Sequence, residues 1–437
     1  MRKDIGLVWF RNDLRLHDNE ALEKALAATE TILPVYVFDP RLIYGNEDMG
    51  LPGMFQTRIG FLLESLRDLR NNLQELGSDL IVRMGEPEKV LYDLAKEYNI
   101  SGVYCNRERM PHEISVQDKL EQRLWTLGLE MHFFRGKMLY YTSDLPFPVP
   151  RTPDNFASFL KETEHFIDIR EPLPLDYDNL PFPHIDIDPG EIPALSEFGF
   201  SDSFVNPEFT GGETTGKKAL AASVKQVAKN KKSQLGLSPW LSIGSLSPKE
   251  VYHAIEASDD IHANTKRTLT RNLILRDFYR LTGKKEPYSL FAEGGFRNEP
   301  MESAHWDWMA LKEWITGETG HDYVDACMKC LSVTGYLTHK QRKAVSYFLL
   351  DKMEVHWLMG AGYFERVLLD YDPCSNYVNW QRVAGLSPDL KGRHRMNFEL
   401  ISDQEDPDGK FREKWADVVI PQSAFDFQLD GSRWVAP

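Results

Sequence analysis

The sequence predicts an α/β fold in two domains, an N-terminal doubly wound parallel sheet followed by a C-terminal all-helical domain. Its 437 residues exceed what one hydrophobic core usually organises. Short apolar runs alternate with helical patterns in the first third of the chain, whereas the second half carries helical patterns alone. We therefore place the α/β domain at 1–135, an interdomain linker at 136–216 and the helical domain at 217–437.

Five apolar runs in the N-terminal domain have the length of buried strands, and four helical patterns lie between them. This alternation is typical of a parallel sheet with helices on both faces. No GxGxxG follows the first run, so the usual dinucleotide-binding fingerprint is absent. The strands are predicted at 6–10, 32–38, 80–83, 102–104 and 131–134, and the helices at 19–28, 57–76, 87–98 and 113–127.

Seven prolines between residues 172 and 216 interrupt regular structure and predict an extended linker. From about residue 217 onward, apolar residues recur at helical spacing, which predicts the second domain. Its helices are predicted at 249–255, 266–281, 311–314, 323–331, 340–353 and 361–369.

The composition limits the classes of function. A net charge of −15 removes long-range attraction to nucleic acid, although a local basic face could still bind it. No apolar run is long enough to cross a bilayer and no cleavable-signal pattern opens the chain, so we expect a cytoplasmic protein with no membrane partner. Cys327 and Cys330 form a lone CxxC, which helix packing explains more simply than zinc, and we predict no metal site.

The segment 361–385 concentrates the side chains with the most chemistry. Asp370 and Asp372 flank one aromatic residue, Asn376 follows four residues after Asp372, and Trp380 lies four residues further on. The pattern predicts that two carboxylates, an amide and an indole share one tight turn between helices.

This segment resembles the flavin-binding segment of the cryptochrome/DNA photolyase family. Residues 7–19, 238–248 and 317–336 are similar to further motifs of that family in the same order, and residues 144–147 and 291–300 are most similar to its DASH branch. The resemblance covers essentially the whole chain. It implies that the helical domain binds FAD and that the protein responds to blue light.

The resemblance implies that Arg342, Asp370, Asp372 and Asn376 contact the flavin ring and the adenosine ribose of FAD. An arginine opposite an aspartate can stabilise an anionic reduced flavin, and an amide can bond to the flavin nitrogen N5. An Arg–Asp pair that only closes a helix junction is the alternative.

The turn that holds the FAD pyrophosphate in this family is altered here. Most of the family's hydroxyl residues are missing from residues 231–238, so backbone N–H groups and the charges of Lys231 and Lys232 are left to contact phosphate. The further cofactor contacts expected are Gly236, Leu237, Ser238 and Arg276.

Trp380 and Trp357 match the inner two tryptophans of the family's electron relay, and Trp306 or Trp308 is the outer member. An indole can give up an electron and be refilled by a neighbouring indole. Large aromatic residues also fill helical cores, so packing is the alternative role.

The substrate side departs most from the family. Photolyases flip a pyrimidine dimer into a pocket over the flavin, where an acid and aromatic residues hold it. Aromatic stacking contributes roughly 1–3 kcal/mol per base, so losing these groups weakens dimer binding unless the new residues rebuild the pocket. The altered positions are Asn272, Leu275, His339, Lys340, Lys343 and Arg382.

Glu108 follows the fourth predicted strand, where DASH relatives place a carboxylate against a pterin. The resemblance therefore implies a folate antenna, methenyltetrahydrofolate. A surface glutamate at a strand end is the alternative.

The favoured hypothesis is an FAD-binding, blue-light-responsive flavoprotein that is photoreduced through a tryptophan chain. It would act as a photoreceptor or redox protein on an unknown signalling partner, with weak binding to DNA and no efficient dimer repair. Two alternatives stay open. One is a DNA photolyase (deoxyribodipyrimidine photo-lyase) that repairs cyclobutane pyrimidine dimers, and the other is a binding protein that has lost FAD.

Overall fold

A five-stranded sheet forms the N-terminal part of the chain. The computed structural model describes residues 4–46, 49–174, 180–183, 186–230, 234–299, 301, 304–387 and 398–425. Every neighbouring pair of strands is parallel and the strand order is β3-β2-β1-β4-β5, which confirms the predicted doubly wound sheet. The strands are β1 (Ile5–Phe10), β2 (Thr31–Phe38), β3 (Ile81–Met84), β4 (Gly102–Asn106) and β5 (Met131–Phe134).

Both faces of this sheet are covered. Leu7 and Trp9 of β1 pack into one hydrophobic core, and Val8 and Phe10 pack into another on the opposite face, as alternation along a strand requires. The order of the strands changes direction between β1 and β4, so their carboxyl ends open a crevice there. The helices of this part are α1 (Glu20–Ala28), α2 (Pro40–Ile43), α3 (Gln56–Glu75), α4 (Pro87–Glu97) and α5 (Pro111–Trp125).

The described residues between 172 and 212 contain no α-helix or strand, as their prolines predict, and the regular structure of the 136–216 region lies on either side of them. Helix α6 (Phe156–Thr163) begins after Asn155, whose side chain accepts a hydrogen bond from the backbone of Ser158, and it buries Phe159. Helix α7 (Glu213–Asn230) begins four residues before the predicted start of the helical domain. The carboxylate of Glu213 accepts hydrogen bonds from the backbone of the loop after β1, which anchors this helix to the sheet. The domain boundaries themselves stay a prediction.

The rest of the chain is helical, and every helix predicted there is present. A single large core joins these helices to buried aromatic residues of the region after β5. None of the described helices is long and apolar enough to cross a membrane. The helices are α8 (Ser238–Ile243), α9 (Pro248–Glu256), α10 (Ala263–Lys285), α11 (Trp308–Thr316), α12 (Asp322–Thr334), α13 (His339–Asp351), α14 (Trp357–Val367), α15 (Pro373–Ala384), α16 (Phe398–Glu405) and α17 (Lys410–Trp415).

Arg15 ties the sheet to the helical part. Its side chain is almost fully buried and donates hydrogen bonds to the carbonyls of Gly136 and Gly244, both at 2.8 Å. Beside it, Lys249 of α9 forms a buried ion pair with Asp18 at 2.6 Å. Buried hydrogen bonds and a buried ion pair therefore join the two parts. Water could take the place of these partners only if the interface between the two parts opened.

Candidate functional site

Helix capping positions the first of the predicted flavin residues. Asp372 is the N-cap of α15, and its Oδ1 accepts hydrogen bonds from the backbone N–H and the hydroxyl of Ser375, both at 2.8 Å. Pro373 occupies the first helical position, where a missing N–H costs nothing. The cap fixes one carboxylate oxygen and leaves the other for a partner outside the helix.

That partner is Arg280 of α10, a residue the sequence interpretation missed. Its Nε and Nη2 donate to Oδ2 of Asp372 at 3.0 and 2.8 Å, and its Nη1 donates to the carbonyl of Lys137. Burial alone would raise the pKa of Asp372, but Arg280, Ser375 and Arg276 outweigh it and lower the pKa to about 2. Arg280 lies one helical turn after Arg276, and this spacing is the signal that could have identified it.

Arg342 and Asp370 form the second ion pair of the site. Nη2 of Arg342 lies 2.9 and 2.8 Å from the two carboxylate oxygens, and its Nε donates to the carbonyl of Leu337 at 2.8 Å. The ring of Tyr336 lies beneath the guanidinium, 5.3 Å away. The pair joins α13 to the loop before α15, so it serves the helix junction as well as any cofactor contact.

Asn376 and Trp380 line the same helix. The side-chain nitrogen of Asn376 donates to the carbonyl of Ala361 at 3.0 Å, which fixes the amide against α14. Trp380 is buried, and its ring centre lies 5.2 Å from that of Phe364 and 6.3 Å from that of Trp314. Trp314 was not predicted as a site residue; it is fully buried and donates its indole N–H to the carbonyl of Val345.

Two buried donors at this site have no hydrogen-bond partner among the described residues. They are Nη1 of Arg276 and Nε1 of Trp380. Burial, and then the charge of Arg280, lower the pKa of Arg276 to about 10. Buried donors without partners are rare in folded proteins, and Arg276 lies close enough to Asp372 and Asp370 for their charges to act on it, so its Nη1 fits a polar ligand beside the paired aspartates. The residues present therefore fit FAD.

The predicted phosphate turn leads into α8. Gly236 has a φ of +70° and is exposed, Leu237 is buried, and Ser238 is the first residue of the helix. Lys231 and Lys232 lie outside the described residues. The contacts of this turn with phosphate stay a prediction.

The relay tryptophans lie on adjoining elements. Trp357 opens α14, is fully buried and donates its indole N–H to the carbonyl of Glu293 at 3.0 Å. Its ring packs edge-on against Tyr377 of α15, three residues before Trp380. Trp306 is partly exposed and stacks on His356, the neighbour of Trp357, whereas Trp308 opens α11. This arrangement favours Trp306 as the outer member.

The altered substrate positions fall into two groups. His339, Lys343 and Arg382 lie close enough to Arg342 for their charges to act together, and desolvation followed by the charges of Lys343, Arg342 and Arg382 lower the pKa of His339 to about 4. The other positions lie apart from this group. Lys340 pairs with Glu405 at 2.5 Å, and Asn272 and Leu275 lie on α10, the first exposed and the second packed against the core.

Glu108 lines two clefts at the carboxyl ends of β1 and β4, and the Arg280–Asp372 pair lines one of them as well. Its Oε1 pairs with the ammonium of Lys137 and accepts from Asn12 at 3.4 Å. One cleft has an aromatic wall that includes Trp9, Tyr36 and Tyr371. The other, which Arg280 and Asp372 also line, has a basic wall formed by Arg107, Arg109, Arg135 and Lys284. Neither cleft is lined by Arg342, Asn376 or Trp380.

Comparison with known proteins adds independent evidence. The DNA photolyase family profile matches residues 6–177, and the profile for the FAD binding domain of DNA photolyase matches residues 269–422. Cryptochrome DASH of Gloeobacter violaceus is 35% identical over 430 residues, which cover 94% of this chain and 85% of that protein.

Solved structures agree with the sequence matches. The structure of a cryptochrome from Synechocystis sp. PCC6803 superposes with a TM-score of 0.87 at 33% identity and covers 95% of this chain and 89% of that one. An archaeal photolyase from Sulfolobus tokodaii, solved with two FAD molecules, superposes with a TM-score of 0.80 at 28% identity and covers 94% of this chain and 90% of that one.

Proposed function

The chain belongs to the cryptochrome/DNA photolyase family and is an FAD-binding flavoprotein, and we propose that it works as a blue-light photoreceptor or redox protein of the DASH type. One observation carries this proposal. Both aspartates of the predicted flavin side pair with arginines, and the neighbouring Arg276 has a buried donor with no hydrogen-bond partner among the described residues. The substrate side has lost the groups that hold a dimer.

Four residues would hold the cofactor ring and ribose: Arg342, Asp370, Asp372 and Asn376. FAD, when bound, supplies blue-light absorption and accepts an electron. The chain supplies fixed charges, because the low pKa of Asp372 keeps its carboxylate ionised and the guanidinium of Arg342 is held 2.8 Å from the carboxylate of Asp370. These charged side chains are already held in place, so they do not have to move when the charge of the bound ligand changes.

Three tryptophans would supply electrons to this site in sequence. Trp380 is the first source, Trp357 refills Trp380, and Trp306 refills Trp357 from the protein surface. Burial of the inner two indoles excludes water, and the partial exposure of Trp306 gives an external thiol access to the end of the relay.

Dimer repair is disfavoured by the charges that replace the family's pocket residues. Leu275 and Arg382 stand where the family has stacking aromatic residues, and a stacked base gains about 1–3 kcal/mol from each aromatic surface. The cations Lys343 and Arg382, which lie near His339, could still attract phosphate, and this supports weak binding to DNA.

The first measurement is the absorbance spectrum of the purified protein, which should contain the blue-region bands of FAD. Under blue light and an external thiol, those bands should bleach. Trp380→Phe should slow the bleaching roughly tenfold, a change of about 1.4 kcal/mol in barrier. Trp125→Phe is the matched control, because this indole is 80% exposed on α5 and lies outside the relay.

A repair assay separates the two light-driven functions. Oligonucleotides that contain a cyclobutane dimer should stay unrepaired after illumination with the holoprotein. Efficient repair would establish the photolyase alternative, and a purified protein without flavin bands that also fails to take up added FAD would overturn the flavoprotein proposal.

The two clefts beside Glu108 are proposed to take the folate antenna together. They lie where the strand order of the sheet changes direction; the aromatic wall of one suits a planar ring, and the basic wall of the other suits a carboxylate tail. Burial and the charges of Arg109, Arg135 and Arg107 lower the pKa of Lys284 to about 8, a repulsion that a bound anion would relieve. Equilibrium dialysis with methenyltetrahydrofolate should detect binding that Arg109→Glu weakens.

We place the protein in the cytoplasm. Its four cysteines are buried and none forms a disulfide, which suits a reducing compartment. Fractionation of the native cells tests this assignment.

A further inference from the structure

One imidazole contacts both the outer and the middle tryptophan of the proposed relay. The ring of Trp306 stacks on His356 with centres 4.8 Å apart and planes 11° apart, and Trp306 is 37% exposed. The centre of the His356 ring lies 6.2 Å from that of Trp357, which is fully buried. The imidazole, 5% exposed, therefore stands between a surface indole and a core indole.

Backbone hydrogen bonds hold this stack in place. The N–H of His305 donates to the carbonyl of Glu354 at 2.7 Å, and the N–H of His356 donates to the carbonyl of His305 at 2.8 Å. The side chain of His356 is also the N-cap of α14, because its Nδ1 accepts from the N–H of Leu358 at 3.3 Å. The cap fixes the orientation of the ring, and the paired segments bring Trp306 onto it.

The charge state of the imidazole suits this position. Burial lowers the pKa of His356 to about 4, so the ring is neutral at pH 7. A positive charge in contact with Trp306 would oppose the removal of an electron from that indole. A neutral ring provides the stacking surface without this opposition.

We propose that His356 is a positioning residue of the electron relay and holds Trp306 within reach of Trp357. The inference rests on the proposed function. In this step one electron passes from Trp306 to the oxidised indole of Trp357, and Trp306 can release its N–H proton to water. A thiol in solution then returns one electron and one proton to Trp306 and is itself oxidised.

Two substitutions separate stacking from capping. His356→Asn keeps an N-cap acceptor and removes the ring, whereas His356→Phe keeps a stacking ring and removes the cap. We expect His356→Asn to slow thiol-dependent photoreduction of the holoprotein to the rate of Trp306→Phe while the midpoint of thermal unfolding stays close to that of the parent. We expect His356→Phe to keep the parent rate and to lower the unfolding midpoint.

A double-mutant cycle tests whether His356 acts through Trp306. In the Trp306→Phe background, His356→Asn should cause no further loss of rate. A further loss as large as in the parent, or a slow His356→Phe variant that is fully folded, would overturn the inference.

A second readout needs no cofactor. In the protein stripped of flavin, iodide should quench the fluorescence of Trp306 more strongly after His356→Asn than in the parent, and Trp306→Phe should abolish this difference. If Trp306→Phe fails to slow photoreduction, the proposed relay is wrong while the stacking result still stands. If Trp306→Phe slows it and His356→Asn changes neither rate nor quenching, the inference alone is wrong.

Discussion

A glycine on α14 decides where the inner indole of the relay can lie. A Cβ atom added to Gly360 would lie 2.2 Å from Cη2 of Trp380 and 2.7 Å from Cδ2 of Leu349. Both distances are far below van der Waals contact, so only glycine permits this approach of α14 to Trp380. The position of Trp380 in the site therefore depends on Gly360 as well as on the indole itself.

We predict that Gly360→Ala displaces Trp380 and destabilises the fold by about 1–3 kcal/mol, the usual cost of overpacking a core. Photoreduction should slow together with the loss of stability, as chemical denaturation and bleaching under blue light would measure. Gly60→Ala in α3 is the matched control, because its added methyl group would meet Phe204 at 3.8 Å, an ordinary contact. That control should be neutral or stabilising by up to about 1 kcal/mol.

At the residue scale, the sequence predicts site members that lie close together along the chain, and it misses partners that only folding brings in. Asp370, Asp372 and Asn376 share one short segment, so their common location follows from the helix junction. Arg280 reaches Asp372 from 92 residues away, and no periodicity in one segment encodes that contact. His356 was missed for a related reason, since its stack with Trp306 depends on pairing between distant loops.

The N-terminus of α9 contains a carboxyl group whose ionisation the fold opposes. Glu250 closes a capping box, in which its Oε2 accepts from the N–H of Ser247 at 3.1 Å, and its side chain is 11% exposed. Burial is the main cause that raises the pKa of Glu250 from 4.5 to about 7. Burial also lowers the pKa of the neighbouring His17, so the 3.3 Å contact between them is not a pair of full charges at neutral pH.

We predict that Glu250→Gln makes the protein less sensitive to rising pH. Between pH 4.5 and about 7 the folded state keeps the Glu250 proton that the unfolded state loses, so the stability that Glu250 contributes falls as pH rises through this window. The difference in unfolding free energy between parent and variant should shift by at most roughly 3 kcal/mol in favour of Glu250→Gln from pH 4 to pH 8. Glutamine keeps the oxygen that accepts the capping hydrogen bond. His17 is present in both proteins, so most of its contribution to the pH dependence cancels when their unfolding free energies are subtracted. A constant difference across this range would contradict the prediction.

At the element scale, strands and long helices could be predicted because their apolar periodicity is strong. Short helices were missed where capping rather than periodicity starts them, as at Asn155 before α6. The start of α7 depends on Glu213. Its carboxylate oxygens accept hydrogen bonds from backbone N–H groups of the loop after β1, and the local sequence does not reveal this contact. The prolines correctly predicted irregular backbone for the described residues between 172 and 212, whereas α6 lies before that stretch and its start depends on a cap.

For the whole molecule, the net charge is a poor guide to the site. The chain carries −15 overall, yet Arg342, Lys343 and Arg382 concentrate positive charge beside the flavin residues, and the basic wall near Glu108 does the same between the two parts of the fold. Composition could not locate these groups, because their clustering arises from the packing of separate helices. The arrangement of the two parts follows from the family resemblance, whereas the contacts that join them required the structure.

Arg15 is one of the buried residues that join the two parts. It reaches from the loop after β1 into the interface, and water has almost no access to its guanidinium. All of its hydrogen bonds go to backbone carbonyls, at distances of 2.8 to 3.0 Å, and these belong to His17, Asp18, Gly136 and Gly244.

We predict that Arg15→Met destabilises the protein by about 3 kcal/mol or more. Methionine fills the space of the aliphatic part of the arginine side chain, and the removal of a buried charge by itself is stabilising. It also leaves several buried carbonyls without donors, and each of these costs roughly 1–3 kcal/mol of stability. Because those carbonyls lie on both sides of the interface, the loss should fall on the contact between the sheet and the helices. Thermal unfolding followed by calorimetry should change from one transition to two, and the helical part should unfold at the higher temperature when FAD is present.

Arg123→Met, at an exposed position of α5, is the control and should stay within about 0.5 kcal/mol of the stability of the parent. A single transition with unchanged midpoint in Arg15→Met would mean that packing rather than this guanidinium unites the two parts.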